Sequence, residues 1–279
     1  MKKVLYLCLI LILMMNNSVF AQDVLSYEIT DLNIDKTLEM EKQDFTNSNN
    51  ESLKLLRDNR DVQVIMYHKL SNNPAEWSQW CTSPKNFEED IVYLKNKGYT
   101  FLKVNELMDL RCSHLKKVAI ITFDDGYMSD YEMALPILEK HNVKATFFVI
   151  GAMVGKNEYM DEKAIIKLSN SPLVEIGNHS YDLHLKTYKE IEMLFSLNSN
   201  YVYNDFMKNK SYLESIIGKK VTSLSYPNGI YTKSTDYLLK RNGTKITFST
   251  GIEKVEKSMF NAIGRKNRAH NLTMDYYVK

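Results

Sequence analysis

The chain is short of the residues that mark several protein classes. Three cysteines in 279 residues are too few for a disulfide-built scaffold, and ten glycines with five prolines exclude a collagen-like or low-complexity chain. Neither sign of charge dominates: 36 basic residues face 34 acidic ones, which gives no reason to expect nucleic acid or an anionic surface as partner. No internal repeat recurs at a fixed period. Long apolar runs are scarce as well. The one at Val4 to Met15 is shorter than the roughly 18 residues that a membrane span needs.

What remains is ordinary globular material, 44% hydrophobic and 25% charged, enough for one large domain or two small ones. Lys2 and Lys3 precede the apolar run and Val19-Phe20-Ala21 offers small-residue cleavage chemistry, so residues 1–21 read as a secretory signal peptide; an uncleaved anchor is the alternative. Its removal takes Lys2, Lys3 and Cys8, leaving 34 basic residues against 34 acidic ones. A neutral exported chain, secreted or at the cell surface, suits a neutral polymer as substrate. It is expected to act as a monomer with no span after processing. Cys81 and Cys112 either pair in the oxidising compartment or stay as thiols. Residues 22–60 are polar, with Thr46-Asn47-Ser48-Asn49-Asn50 at their middle, and read as a stalk. The domain is expected over 61–279.

Within that domain, apolar strand-like runs alternate with helical patterns. Strands are expected at Val62 to His68, Thr100 to Val104, Val118 to Phe123, Ala145 to Ile150, Leu173 to Ile176, Val221 to Tyr226 and Lys245 to Ser249, with one more near Ala262 to Gly264. Helices are expected from Ser83-Pro84 to Gly98, over Asn105 to Arg111, to about His141 with a kink at Pro136, over Asp161 to Ser169, through most of Thr187 to Lys220, and over Ser234 to Arg241. Such alternation predicts an α/β fold with a parallel sheet, read as a distorted (β/α) barrel of about seven parallel strands. Phe147 and Phe148 fall in a buried strand and are core.

The chemistry gathers at strand carboxyl ends, the face on which barrels build active sites. The run Val118 to Phe123, with no alternation, predicts burial on both faces. It stops at Asp124-Asp125-Gly126. Two adjacent carboxylates at the mouth of an apolar strand raise each other's pKa and lose water, so a cation is the usual compensation; the plainer alternative is an Asx-turn followed by a helix cap, with Ser129 and Glu132 as a capping box. A second cluster, Asn178-His179-Ser180-Tyr181-Asp182-Leu183-His184, spaces its histidines too widely for one helix face. A loop can still converge them. One carboxylate and two imidazoles suit Zn²⁺ or a similar divalent ion with open positions for water, and Asp182 is a candidate partner for one imidazole. Trp77 and Trp80, in the loop after the first strand, either stack on a sugar ring or cover the domain edge. His114 and His141 read as solvated.

Thr122-Phe123-Asp124-Asp125-Gly126, then His179-Ser180 with His184, then Tyr226-Pro227-Asn228-Gly229, together resemble the first three motifs of the polysaccharide deacetylases, the NodB homology domain of carbohydrate esterase family 4. Lys144 to Val149 is similar to the strand between the first two. The wider histidine spacing and Tyr67-His68 resemble the branch acting on poly-N-acetylglucosamine. The resemblance implies Asp124 as general base, Asp125, His179 and His184 as metal ligands, and zinc as the expected ion with nickel or cobalt as alternatives. It further implies that the Asn228 N–H in the turn Tyr226 to Gly229 stabilises an oxyanion. The arginine usual before that turn is absent, Ser223-Leu224-Ser225 standing there, and so is the late Leu-x-His acid, since His270 follows Arg268-Ala269. His68 is therefore expected as the acid and Arg265 as the replacement arginine. The implied activity is hydrolytic N-deacetylation of a glucosamine polysaccharide. An O-acetyl esterase on xylan or a related glycan, and an inactive glycan-binding surface protein, are the other readings.

Overall fold

The computed structural model describes residues 61–278 apart from 108, 110, 111, 113 and 252–261. The export signal and stalk read in residues 1–60 lie outside the described residues.

The first strand, β1 (Asp61–Tyr67), is followed by a two-strand side ribbon, β2 (Lys69–Leu70) and β3 (Cys81–Thr82). Ser83 then caps α1 (Pro84–Asn96), its side chain accepting the Asn86 N–H, with Pro84 in the first turn where no N–H is needed. Phe87, Ile91 and Leu94 are fully buried on one face of it. The next strand, β4, is only Thr100–Phe101, shorter than expected, because the chain turns at Lys103 into a short 3₁₀ helix, Val104–Glu106. Next come β5 (Lys117–Phe123), α2 (Leu135–His141), β6 (Ala145–Val149), α3 (Glu162–Asn170) and β7 (Val174–Asn178). The long connection is two helices, α4 (Tyr188–Leu197) and α5 (Ser199–Ile217). β8 (Ser223–Ser225), α6 (Lys233–Arg241), β9 (Ile246–Phe248), β10 (Lys266–Asn267) and α7 (Met274–Tyr277) complete the order.

The main sheet runs β10-β1-β5-β6-β7-β8-β9, and every pairing in it is parallel. β1 pairs with β5 directly. β4 pairs only with Val118 and Ala119 at the start of β5, whose later residues Ile121 to Phe123 pair with β6. The segment from Ile263 to Arg268 joins the two edges: Ile263 bridges Phe248, β10 pairs with Ile65 and Met66, and the Arg268 N–H donates to the Met66 carbonyl. The expected distorted barrel is therefore present, closed by a strand that the sequence signals only faintly.

Alternation along β5 divides the packing. Ala119, Ile121 and Phe123 face the helices, where Phe123 stacks on Phe147 at 4.8 Å and on Tyr67 at 5.2 Å. Val118 and Ile120 face inward with Val64, Phe148, Ile246, Phe248 and Ile263. A third cluster joins α4 and α5 to Leu224 and Tyr226. Gly177 is required by this interior: a Cβ there would lie 2.4 Å from the Phe148 ring.

Two local expectations are corrected. Ser129 does not cap a helix; its Oγ accepts the Leu70 N–H, tying the ribbon to the acid-pair loop. Ahead of Pro136, in place of a continuous helix from Ser129, Asp130–Ala134 forms a π-helical turn, and the Leu135 N–H reaches back to Asp130. Pro136 lies in the first turn of α2, where its missing N–H costs no helical hydrogen bond.

Candidate active site

Adjacent residues on a strand point to opposite faces, so a carboxylate pair at the end of β5 should diverge. Asp124 continues the inward parity of Thr122. Asp125 has φ 76, a left-handed conformation that aspartate tolerates better than most residues, and this re-aims its carboxylate. Gly126 follows at φ 85.

Three of the expected ligands meet there. Asp125 Oδ1 lies 3.4 Å from His179 Nε2 and 3.5 Å from His184 Nε2, and one ligand atom from each of the three falls within 4.8 Å of the others. His179 is held by its Nδ1–H, which donates to the Ser225 carbonyl at 2.8 Å, leaving Nε2 aimed at Asp125. Asp125 Oδ1 is buried without a hydrogen-bond partner. An orphaned buried anion with two imidazole nitrogens around it is the donor set of a divalent cation, so these residues fit a metal ion. His184 is the most open of the three, its side chain 25% exposed.

Asp124 is held differently. Arg265 grips it through two parallel contacts, Nη1 to Oδ1 and Nη2 to Oδ2, each 2.6 Å. Ser225 Oγ donates to Oδ2 at 3.1 Å. Burial pushes the Asp124 carboxyl up, but Arg265 and then His179 outweigh it and hold it far below the usual carboxylate range. Asp125 is also pushed up by burial and carried below its ordinary value by His179 and His68. Both acids are thus ionised at neutral pH. Arg265, wholly buried, also donates to Thr122 Oγ1 and the Ser249 carbonyl.

His68 stands at the site. Its ring packs edge-on against Trp80 at 4.8 Å and its Nδ1 is buried without a partner. Burial lowers its pKa against the opposing pull of Asp125 and Asp124, which keeps it neutral at rest. Burial, followed by His179, lowers His184 as well, whereas in His179 the pull of Asp124 and Asp125 overcomes burial and the net shift is upward.

The proline turn divides. Asn228 lies at its exposed tip with φ 54, and Gly229 is boxed in, since a Cβ would meet Thr250 Oγ1 at 2.3 Å. Pro227 is buried. The Tyr226 side chain belongs to the packing: its hydroxyl donates to Asp236 at 2.8 Å and its ring stacks on Tyr231. Trp77 stacks on His270 at 4.1 Å and donates to the Ser71 carbonyl, so it covers an edge. Trp80 stays 48% exposed. Asp182 contacts neither imidazole in any hydrogen bond; its carboxylate accepts from Tyr201. His141 is paired with Glu88 at 2.6 Å rather than merely solvated. Cys81 and Cys112 are not joined by a disulfide.

Residues 113–247 match the family model described as polysaccharide deacetylase. That segment is a polysaccharide deacetylase domain. Among its deacetylase relatives, the poly-beta-1,6-N-acetyl-D-glucosamine N-deacetylase of Staphylococcus aureus is 26% identical over 185 residues, covering 64% of this chain and 64% of that protein. Bacillus subtilis YxkH is 26% identical over 192 residues, covering 68% of this chain and 64% of the relative. The chain thus spans about 64% of the length of these curated relatives. Among solved structures, IcaB from Ammonifex degensii shares 26% identity at a TM-score of 0.64 over 78% of this chain and 94% of that one. The Streptococcus pyogenes deacetylase PplD, solved with acetate, has a TM-score of 0.65 at 22% identity over 78% of this chain and 98% of its own, a likeness of fold.

Proposed function

We propose that this protein is an exported, metal-dependent hydrolase that removes N-acetyl groups from an N-acetylglucosamine polysaccharide, poly-N-acetylglucosamine or a cell-wall glycan, releasing acetate. The observation that carries the reading is the pairing of two differently held carboxylates: Asp125 facing His179 and His184, and Asp124 gripped by Arg265 beside them. A purely structural acid pair has no use for both arrangements. The relatives of this size support the substrate class, since one is named for a poly-β-1,6-linked glucosamine polymer. With residues 1–21 as an export signal, 22–60 as a stalk and 61–279 as the domain, the enzyme would act outside the cytoplasm or on the cell surface.

Asp125, His179 and His184 would hold the divalent ion, zinc first by the donor set; when bound, it supplies Lewis acidity toward the acetyl carbonyl and acidifies water. Asp124, fixed as the anion by Arg265, is poised to accept the proton of the attacking water on a lone pair its hydrogen bonds leave over. Water oxygen bonds to the acetyl carbon, the carbon–nitrogen bond breaks, and the amine leaves with a proton from His68, which is neutral at rest and takes that proton from solvent beforehand, while the proton on Asp124 returns to solvent as acetate departs. The Asn228 N–H at the turn's tip would donate to the oxyanion. Exposed Trp80, seated on His68, offers a face for a sugar ring.

Replacing Asp124 by Asn should lower acetate release from oligomers of poly-N-acetylglucosamine by at least about 10²–10⁴-fold while bound zinc is retained. Near-native turnover in that variant would exclude the base assignment. His179→Ala should lose the metal, read by metal analysis of the purified protein. Parallel assays on acetylxylan separate amide from ester hydrolysis.

A further inference from the structure

The two histidines expected to hold metal lie five positions apart in an irregular loop, so something outside the loop must set their separation. α5 does so. Asp205, on its inward face, accepts the Tyr181 N–H at 2.8 Å and the Asp182 N–H at 2.9 Å, the two amides midway between His179 and His184. One turn on, fully buried Asn209 donates to the Val149 carbonyl at 2.9 Å and to Asn178 Oδ1 at 2.8 Å. Asn178 Oδ1 also accepts the Ser180 N–H at 2.9 Å, and Asn178 Nδ2 donates to the Phe206 carbonyl of α5 at 2.8 Å. Ser180, left-handed at φ 68, closes the series when its Oγ accepts the His184 N–H at 3.2 Å.

Four backbone amides from Ser180 to His184 are therefore fixed by side chains, two of them by a single carboxylate. The packing leaves no slack: a Cβ on Gly151 would lie 2.2 Å from Asn209 Oδ1 and 2.7 Å from the Tyr181 ring. Neither Asp205 nor Asn209 contacts the ligand atoms in any hydrogen bond.

We propose that Asp205 and Asn209 are positioning residues, a clamp from α5 that presets the His179–His184 spacing for a divalent cation. The inference rests on the metal reading above and adds to it a determinant of affinity that lies outside the ligand set. Carboxylates and amides that orient ligands from behind typically change metal affinity 10–100-fold when lost; a residue that only packs would lower stability and leave affinity alone.

The test uses the full chain, stripped of metal, titrated with zinc against a chromophoric chelator, with thermal unfolding followed with and without zinc. Asp205→Ala should raise the zinc Kd about 10–100-fold and shrink the zinc-induced rise in Tm. Asp205→Asn, which keeps one acceptor oxygen, should recover part of the loss, and Asn209→Ala should give a smaller loss of the same kind. If Asp205→Ala fails to fold, Asp205→Asn and Asn209→Ala decide. Zinc Kd values within twofold of the unaltered chain in the folded variants would overturn the clamp. Absence of zinc binding by the unaltered chain, matching His184→Ala, would instead sink the metal reading itself.

Discussion

The ion pair between Asp124 and Arg265 is buried on both sides, with side-chain exposures of 3% and 0%, so its two halves depend on each other. Removing one partner of such a pair leaves an uncompensated buried charge, at a cost of about 3–5 kcal/mol. Arg265→Met should therefore destabilise the protein by that order in urea unfolding, and should move the acid limb of the activity profile to higher pH. The sign follows from linkage. Asp124 is held low when folded, so its stabilisation is complete above the unfolded carboxylate range and fades as pH falls below about 4. Without Arg265 the buried carboxylate loses that stabilisation, so this acid-side dependence of stability shrinks. Asp205 works in the opposite sense. Burial pushes it up to about 6, against the pull of the Asp182 and Tyr181 N–H groups, while the unfolded chain titrates near 3.9. Between those values the folded form binds the extra proton, so stability should fall by up to about 3 kcal/mol as pH rises from about 4 to about 6. Asp205→Asn should flatten that slope in denaturant titrations run across the window. At this scale Asp124, Asp125, His179 and His184 could be read from sequence because each sits within a short stretch whose residue types are unusual for a strand end. Arg265 acts across 141 residues and was legible only as a replacement for something missing. Asp205 and Asn209 carry no local signal at all, since an acid and an amide on a helix read as solvated.

Elements add constraints that single residues do not show. Gly177 has an ordinary backbone, yet β7 passes close enough to Phe148 that a methyl group would fall inside the ring's contact distance. Gly177→Ala should cost about 1–3 kcal/mol, the usual effect of overpacking, measured by chemical denaturation. A companion change that trims the ring, Phe148→Leu, should recover part of that loss in the double variant. Sequence periodicity located β5, β6, α1 and α6 to within a few residues because each presents an unbroken apolar run or a helical stripe. It overran β4 and β8, whose apolar neighbours are buried by turns and loops rather than by pairing. It also read one helix from Ser129 to His141, where the chain opens with a π-helical turn; propensity registers the proline but not the freedom of the preceding turn to widen.

For the whole molecule, the parallel sheet and its barrel form followed from the alternation of strands and helices, while closure did not. The segment from Ile263 to Arg268 is too short and too polar to announce itself as a strand, and its partners β1 and β9 are far away in sequence. Among the described residues no helix is long and apolar enough to cross a membrane. The closing segment has a further consequence, because Arg265, which grips Asp124, is part of it. Asp125, His179 and His184 come together without a ligand atom from that segment, whereas the arginine that faces Asp124 comes from it. The stitch that seals the barrel is therefore also the one that neutralises the buried Asp124 charge.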